Sequence, residues 1–212
     1  RESDGARGRP AVALGVRAAA GLVAGIKLSD REHTAVIVDF AGNLVSDVAI
    51  RRNPGAMELQ SLTEATETLL GRVCVKAGID KSQLSAVGIG VPGFVDTVSG
   101  IAHWSPILNT RLAPLGAAMG ERLGLPVHID NDANLVTLAE LWFGAGRERS
   151  DFVVVTIEHG IGMGIVLNHH LYRGARGLGM ELGHTKVQLD GALCRCGQRG
   201  CLEAYVADYA LA

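Results

Sequence analysis

The feature that most limits how this chain folds is a cluster of four metal-type ligands near its end. Cys194-x-Cys196 is followed by Cys201, and His184 lies ten residues before the first of these cysteines. Structural zinc is held by four thiolate or imidazole ligands in a tetrahedron, with sulfur at ~2.3 Å and nitrogen at ~2.0–2.1 Å. The short spacers predict one loop that wraps a zinc ion.

Two other readings of these cysteines are open: all of them are free thiols, or Cys196 and Cys201 form a disulfide. The compartment bears on that choice. The chain has no apolar run near the ~20 residues of a membrane span, and its first ten residues lack the apolar core of a secretory signal. We therefore expect a cytoplasmic protein, in which reducing conditions favour metal ligation over disulfides. Cys74 stands alone in an apolar segment and is predicted to be a core thiol.

A closed four-ligand site leaves no open position for a water molecule, so this zinc is predicted to be structural and not catalytic. It would fix two carboxylates in space, because Glu181 precedes His184 by three residues and Glu203 follows Cys201 by two. With Asn131 and Asp132, at a predicted helix start, they form a polar set suited to the hydroxyls of a sugar. Singly, Asn131 and Asp132 are explained equally well as helix caps, and Glu203 as a solvated surface charge.

The composition of the chain limits the classes of partner that it could bind. With 20 basic and 22 acidic side chains the net charge is −2, so nothing in this chain as a whole attracts nucleic acid. A length of 212 residues and a hydrophobic content of 48% are sufficient for a real core. If DNA is a partner, another part of the protein must carry the positive face.

Apolar periodicity predicts an α/β protein with mixed sheets. Three β-rich segments joined by tight connections begin the chain and predict an antiparallel meander. Helices and strands then alternate, and two final strands flank glycines. The predicted strands are 21–29, 33–40, 44–50, 84–93, 126–130 and a hairpin-like pair in 151–174, and the predicted helices are 57–78, 112–124 and 131–146. This order alone indicates a mixed α/β fold; the glycine-bounded strand ends favour an actin/hexokinase-like (ribonuclease H-like) fold with two lobes and a ligand in the cleft between them.

Several stretches together resemble the ROK family of sugar kinases and sugar-responsive repressors. The resemblance rests on "GLGMELGHTKV" with "CRCGQRGCLEAY", and on three further stretches in the same order. These are "GIGVPGFVD" (88–96), "DNDANLVTLAELWFGAG" (130–146) and "GIGMGIVLNHHLYRGARG" (160–177). The resemblance covers nearly the whole chain from residue 21 onward, and its cysteine signature is specific.

The resemblance implies roles for individual residues. In that family the zinc ligands would be His184, Cys194, Cys196 and Cys201. The sugar pocket would be lined by Asn131, Asp132, Glu181, His184 and Glu203, with the Gly93 backbone close by. In the kinases of the family, the residue that matches Asp132 is the base that accepts the proton of the sugar hydroxyl.

The part that would bind ATP departs from the kinase pattern. Kinases of the family carry Asp-x-Gly-Gly-Thr-Lys in the first strand–turn; here Lys27 replaces the aspartate, and Ser29, Asp30 and Arg31 replace Gly-Gly-Thr. Side chains at the former glycines obstruct a close approach of phosphate, and Asp30 repels it. In the second glycine-rich turn His159 stands where the kinases have threonine. We therefore expect no catalytic residue, unless the chain is a kinase, in which case Asp132 is the base.

The ends of the chain suggest a larger protein. "GRP" at 8–10 resembles the end of a winged helix-turn-helix, although a simple linker loop explains it too. We expect residues 1–20 to be a linker after a missing DNA-binding unit. Residues 21–130 would then form the first lobe and 131–212 the start of a second lobe, incomplete here, which carries the zinc loop.

These observations predict the sugar-sensing effector domain of a ROK-type transcriptional regulator, closer to the repressor branch. Its ligand would be a sugar or sugar phosphate, it would reach operator DNA through the absent N-terminal domain, and it would form a homodimer or homotetramer. The alternative is an ATP-dependent ROK sugar kinase of the glucokinase or N-acetylhexosamine kinase type. A third possibility is a phosphotransferase-system partner or structural protein that binds no sugar.

Overall fold

The computed structural model describes residues 15–174 and 181–211, and most of the predicted linker 1–20 lies outside this range. A five-stranded mixed sheet forms the first half, in the order β3-β2-β1-β4-β7. Strands β1, β2 and β3 pair antiparallel as the predicted meander, while β4 pairs parallel with β1, and β7 pairs parallel with β4. The strands are β1 (Leu22–Leu28), β2 (Glu32–Asp39), β3 (Leu44–Arg51), β4 (Leu84–Val91) and β7 (Val127–Asn131).

Two helices cover this sheet and enclose the main core. They are α1 (Leu59–Ala77) and α2 (Leu115–Leu123). Helix α1 buries a stripe of leucines and a valine against the sheet, as its spacing predicts, and ends at Gly78 in the left-handed conformation. The fully buried core includes Ile37, Leu62, Leu69, Leu70, Val73, Val87, Ile89 and Met119.

A short hairpin between β4 and α2 was not predicted from the sequence. Strands β5 (Phe94–Asp96) and β6 (Ile101–Trp104) pair antiparallel. Strands of three and four residues are too short to show a clear alternation of apolar and polar side chains.

Helix α3 (Asp132–Trp142) leads from β7 into a second, three-stranded sheet of order β10-β9-β8. Strands β8 (Phe152–Ile157) and β9 (Ile161–Leu167) form the expected hairpin, and β10 (His170–Tyr172) adds a third strand that was not predicted. The three strands repeat the β1-β2-β3 meander of the first sheet. Two short helices, α4 (Glu203–Val206) and α5 (Asp208–Leu211), end the described chain.

Glycines on β9 allow α3 to pack tightly against it. A Cβ at Gly162 would lie 2.7 Å from the Cβ of Ala133, and one at Gly164 would collide with Thr137. The start of α3 therefore lies directly against the start of β9, which places the corner between β7 and α3 beside the second sheet. We call the space between the two sheets at this corner the cleft.

Among residues 15–174 and 181–211, no helix is both long and apolar enough to cross a membrane.

Candidate functional site

The four predicted metal ligands lie together. Their ligand atoms are all within 4.8 Å of one another. The Sγ atoms of Cys196 and Cys201 are 3.8 Å apart, and Cys194 Sγ lies 3.7 Å from His184 Nδ1. A zinc tetrahedron with normal bond lengths has sulfur–sulfur edges of about 3.8 Å and sulfur–nitrogen edges of about 3.6 Å. The donor set therefore fits zinc in type and spacing, and the sulfurs are far beyond the ~2.05 Å of a disulfide.

The loop that presents these ligands is held by its own backbone. Cys194 N–H donates to the Gln198 carbonyl at 2.8 Å, and Gly197 N–H donates to the Cys194 carbonyl at 2.9 Å. Gly200 has a φ of +76°, and a Cβ there would collide with the carbonyl of Gln188. The turn between Cys196 and Cys201 thus requires glycine, because a side chain at position 200 has no room.

The thiols differ in their surroundings. Burial raises the pKa of Cys194 to about 11. The ammonium group of Lys186 lies 3.2 Å from Cys201 Sγ and also donates to the Arg199 carbonyl at 2.8 Å, so it connects two points of the metal loop. Sequence reasoning missed Lys186, because a lysine near a cysteine has no motif of its own.

Glu203 is a structural part of this centre. Only 9% of the residue is exposed, so its interpretation as a solvated surface charge is wrong. Its Oε2 accepts a hydrogen bond from Ile161 N–H at 3.2 Å, and its Oε1 lies 3.6 Å from Cys194 Sγ. The carboxylate therefore connects the metal loop to the first residue of β9.

Glu181 lies on the same side. Its Oε2 is 3.9 Å from His184 Nε2. Burial raises the pKa of Glu181, His184 opposes that shift, and Glu203 adds to it. With Nδ1 of His184 turned to the sulfur cluster, Nε2 is left for Glu181 or for a ligand hydroxyl.

The second group of predicted residues meets at the corner between β7 and α3. Asn131 caps α3 by accepting from Asn134 N–H at 3.2 Å, as its helix-cap interpretation predicts, and its Nδ2 also donates to the Gly93 carbonyl at 2.9 Å. Gly93 has a φ of +105°, and a Cβ there would collide with the Trp104 carbonyl. The backbone approach at residue 93 therefore requires glycine.

Asp132 begins α3 with its Oδ1 accepting from Ala133 N–H at 2.9 Å. Burial raises its pKa, Lys27 opposes the shift, and Glu158 adds to it. Asp132 is half-buried, and a carboxylate with a raised pKa beside other charged groups is typical of a functional site. Asp132 and Asn131 are joined to the Glu181–His184–Glu203 group through the start of β9: Gly162 packs on Ala133, and Ile161 binds Glu203.

Sequence reasoning also missed an ion pair at this corner, between a buried aspartate and a half-buried arginine. Asp130 is 6% exposed, and its Oδ2 lies 2.5 Å from Arg173 Nη1. Its Oδ1 accepts from Asn131 N–H at 2.7 Å and from Asn134 Nδ2 at 3.1 Å. Asp130 thus orients Asn131 and fixes the chain after β10. The only sequence signal for this pair was an aspartate at the end of a predicted strand, because Arg173 is distant in sequence.

The turn after β1 uses its polar groups internally. Ser29 N–H donates to His33 Nδ1 at 3.2 Å, and Arg52 donates to the carbonyls of Ser29 and Asp30 at 3.3 and 3.0 Å. Gly55 N–H donates to Asp30 Oδ1 at 2.8 Å. Burial and the nearby Arg52 lower the pKa of His33 to about 4, so the ring is a neutral acceptor for Ser29.

Comparison with known proteins agrees with the motifs. The model of the ROK family matches residues 23–212. The xylose repressor of Caldicellulosiruptor bescii is 32% identical over 204 residues, which are 96% of this chain and 51% of that protein. This chain thus spans about half the length of that relative.

Two solved structures share the fold. The glucokinase of Streptomyces griseus, described as a complex with glucose and AMPPNP, has a TM-score of 0.80 at 34% identity; the match covers 90% of this chain and 59% of that one. A ROK-family transcriptional regulator, described as a homologue of the Escherichia coli Mlc protein, has a TM-score of 0.81 at 28% identity, over 97% of this chain and 51% of that one.

The fold and the site define an α/β protein of the actin/hexokinase-like class with a cysteine–histidine cluster that could bind a metal ion. The chain belongs to the ROK family. Identity does not choose between the branches, since the repressor and the glucokinase are matched about equally.

Proposed function

We propose that this chain is the sugar-sensing effector domain of a ROK-type transcriptional regulator. It binds a sugar or sugar phosphate in the cleft, beside a structural zinc. The names of the relatives support this class of ligand, because they include a xylose repressor and a glucokinase described with glucose. The choice of a sensor over a kinase depends on the chain's own residues.

The observation that carries this choice is the state of the turn after β1. Phosphate sites in such folds use free backbone N–H groups in a glycine-rich turn at the end of a strand. Here the turn contains Ser29, Asp30 and Arg31, the Ser29 amide is bound to His33, and the Asp30 carboxylate faces the cleft side of the turn. A triphosphate would find the Ser29 N–H already engaged and would meet a negative charge.

The zinc would be held by His184, Cys194, Cys196 and Cys201, and its contribution is rigidity. Four closed ligands fix the loop, and with it the carboxylates Glu181 and Glu203. Rigid acceptors bind sugar hydroxyls well because little side-chain entropy is lost on binding. Asn131, Asp132 and the Gly93 backbone form the facing half of the same pocket, next to β9.

Sugar binding would be read out by closure of the two lobes. In this proposal residues 21–130 form the first lobe, 131–212 begin the second, and residues 1–20 connect to a winged helix-turn-helix. Closure in a homodimer or homotetramer in the cytoplasm would then change the spacing of the DNA-binding units on operator DNA. A ligand shifts such an equilibrium only by its preference for one state, and a tenfold preference is ~1.4 kcal/mol.

The test is a coupled ATPase assay on the full-length protein with a panel of hexoses, pentoses and N-acetylhexosamines, run beside a thermal-shift screen of the same sugars. The proposal expects at least one sugar to raise the melting temperature without turnover. Stabilisation by no member of the panel would instead favour a protein that binds no sugar.

A ROK sugar kinase is the second candidate, and one observation favours it. Asp132 is a half-buried carboxylate with a raised pKa, as a general base for a sugar hydroxyl requires. Turnover at ordinary enzyme rates, about 1–100 per second for kinases, would establish this alternative.

A further inference from the structure

An ion pair and a histidine–carboxylate contact connect the turns that face each other across the cleft. Lys27 Nζ, at the end of β1, lies 2.9 and 2.8 Å from the two carboxylate oxygens of Glu158, in the turn after β8. His159 Nε2 lies 3.4 Å from Asp30 Oδ2. The two turns are therefore joined directly by side chains of this chain.

The Lys27–Glu158 pair lies near Asp132: Lys27 pairs with Gly90 across β1 and β4, and a Cβ on Gly90 would lie 3.9 Å from Asp132 Cα. Both Lys27 and Glu158 are close enough to act on its carboxylate, in opposite directions. The position beside Asp132 is where a phosphoryl group on the bound sugar, or on a nucleotide facing it, would meet the two turns. Any such group must compete with Glu158 for Lys27.

Three carboxylates lie around this position, and the two cations that contact them are already engaged. The carboxylates of Asp30, Asp132 and Glu158 face the permanent cations of Lys27 and Arg52, and Arg52 is directed at the carbonyls of the first turn. In the second turn Glu158 N–H donates to the Gly160 carbonyl at 3.0 Å and Ile161 N–H donates to Glu203. An anion would therefore meet a lysine that is already paired, the carboxylate of Asp132, and amides that already donate to groups of the chain.

We propose that the Lys27–Glu158 pair, with Asp30 and His159 beside it, determines ligand specificity: it fills the phosphate position, so that the cleft accepts an uncharged sugar and rejects sugar phosphates and nucleotides. This inference rests on the proposed sugar-binding function and narrows its ligand class. The pair also joins the two sheets. In a kinase, a bound nucleotide would contact both sheets at this position.

The experiment is calorimetric titration of the full-length protein with glucose, xylose, glucose 6-phosphate and inorganic pyrophosphate. The double variant Asp30→Asn with Glu158→Gln frees Lys27 and removes two negative charges while keeping the side-chain shapes. The matched control is Asp47→Asn, which breaks the Lys76–Asp47 pair (3.2 Å) on the outer surface of the first sheet.

The wild-type protein should bind a neutral sugar at least about tenfold more tightly than the sugar phosphate, and pyrophosphate should give no heat. The double variant should gain about tenfold or more in affinity for pyrophosphate and for glucose 6-phosphate, because each removed charge near a bound anion is worth roughly a factor of ten. The Asp47→Asn variant should match the wild type.

Two results would overturn the specificity claim: wild-type protein that prefers glucose 6-phosphate to glucose, or a double variant that gains no affinity for pyrophosphate. The pyrophosphate titration does not need a sugar site. If no sugar binds but the double variant gains affinity for pyrophosphate, the proposed sensor function fails, while the role assigned to the ion pair stands.

Discussion

The two sides of the cleft use their polar groups in opposite ways. On the side of the proposed sugar site, Asp132, Glu181 and the Nε2 atom of His184 are held in place but still have hydrogen-bonding capacity to offer a ligand. On the side of the turns, Lys27 and Asp30 are already bound to partners within the chain. A site for a ligand keeps its donors and acceptors open, whereas a turn that has lost its ligand satisfies them internally. This difference is why we interpret one side as a working sugar site and the other as a former phosphate site.

The largest effect is expected from removing a metal ligand. This change acts on only one side of the cleft and therefore tests the comparison. Cys201→Ser should reduce zinc from about one equivalent to near zero, and with it most of a structural zinc's apparent ~10–16 kcal/mol of binding free energy. Elemental analysis and thermal unfolding measure both. Cys74→Ser is the matched control: this thiol is buried in α1, so the variant should lose some stability and keep its metal. Normal sugar affinity in metal-free Cys201→Ser would contradict the claim that the metal holds the sugar-binding residues in place.

Asp132→Asn should separate binding from stability. We expect a loss of about 100-fold in sugar affinity, or ~3 kcal/mol, since a charged acceptor in the cleft is replaced by an amide. The folded-state pKa of Asp132 is raised above 3.8, so its ionisation costs stability at neutral pH, and this cost disappears as the pH falls to 3.8 and below. The variant should therefore unfold at a higher temperature than wild type at pH 7, with the gap closing near pH 4. Equal melting temperatures of Asp132→Asn and the wild type at pH 7 would contradict the claim that burial raises the pKa of Asp132.

Gly93→Ala tests whether the backbone at the corner is part of the sugar side. Its Cβ would collide with the Trp104 carbonyl and disturb the Asn131 bond to the Gly93 carbonyl, so we expect a loss of about 3 kcal/mol in unfolding free energy and a weaker sugar site. Gly78→Ala is the matched variant, with a φ of +67° but no neighbour within 4 Å of the added Cβ. It should cost only about 1 kcal/mol and leave sugar binding unchanged. Equal costs at the two glycines, measured by denaturant unfolding, would remove the special role of position 93.

The smallest effect on stability is expected at His33, whose ring accepts the Ser29 N–H in the turn after β1. The folded-state pKa of His33 is about 4, below the ordinary 6.5, so the fold favours the neutral ring. Its contribution to stability is fully present above pH 6.5 and is lost as the pH falls toward 4. Between pH 7 and pH 5 we expect a loss on the order of 1 kcal/mol, which is absent in His33→Gln. An unchanged pH dependence in that variant would show that another group titrates.

The sequence predicted the parts of this fold and site that depend on local patterns. Three β-rich segments joined by tight connections predicted β1 to β3, and a mostly apolar run predicted β4. The Cys-x-Cys spacing with His184 predicted the ligand cluster, because a single loop brings those residues together. The pairs Lys27–Glu158 and Asp130–Arg173 were not predicted. Each joins residues that are far apart in the chain, so only the packing of one sheet against the other brings them into contact.

The most direct test of the central claim is one titration: AMPPNP with magnesium added to zinc-loaded full-length protein already saturated with the sugar that gives the largest thermal shift. We predict strong binding of the sugar and no measurable heat from the nucleotide, because only one side of the cleft can still bind a ligand. Tight, stoichiometric binding of AMPPNP to the sugar complex would show that both sides work and would contradict the assignment as a sensor.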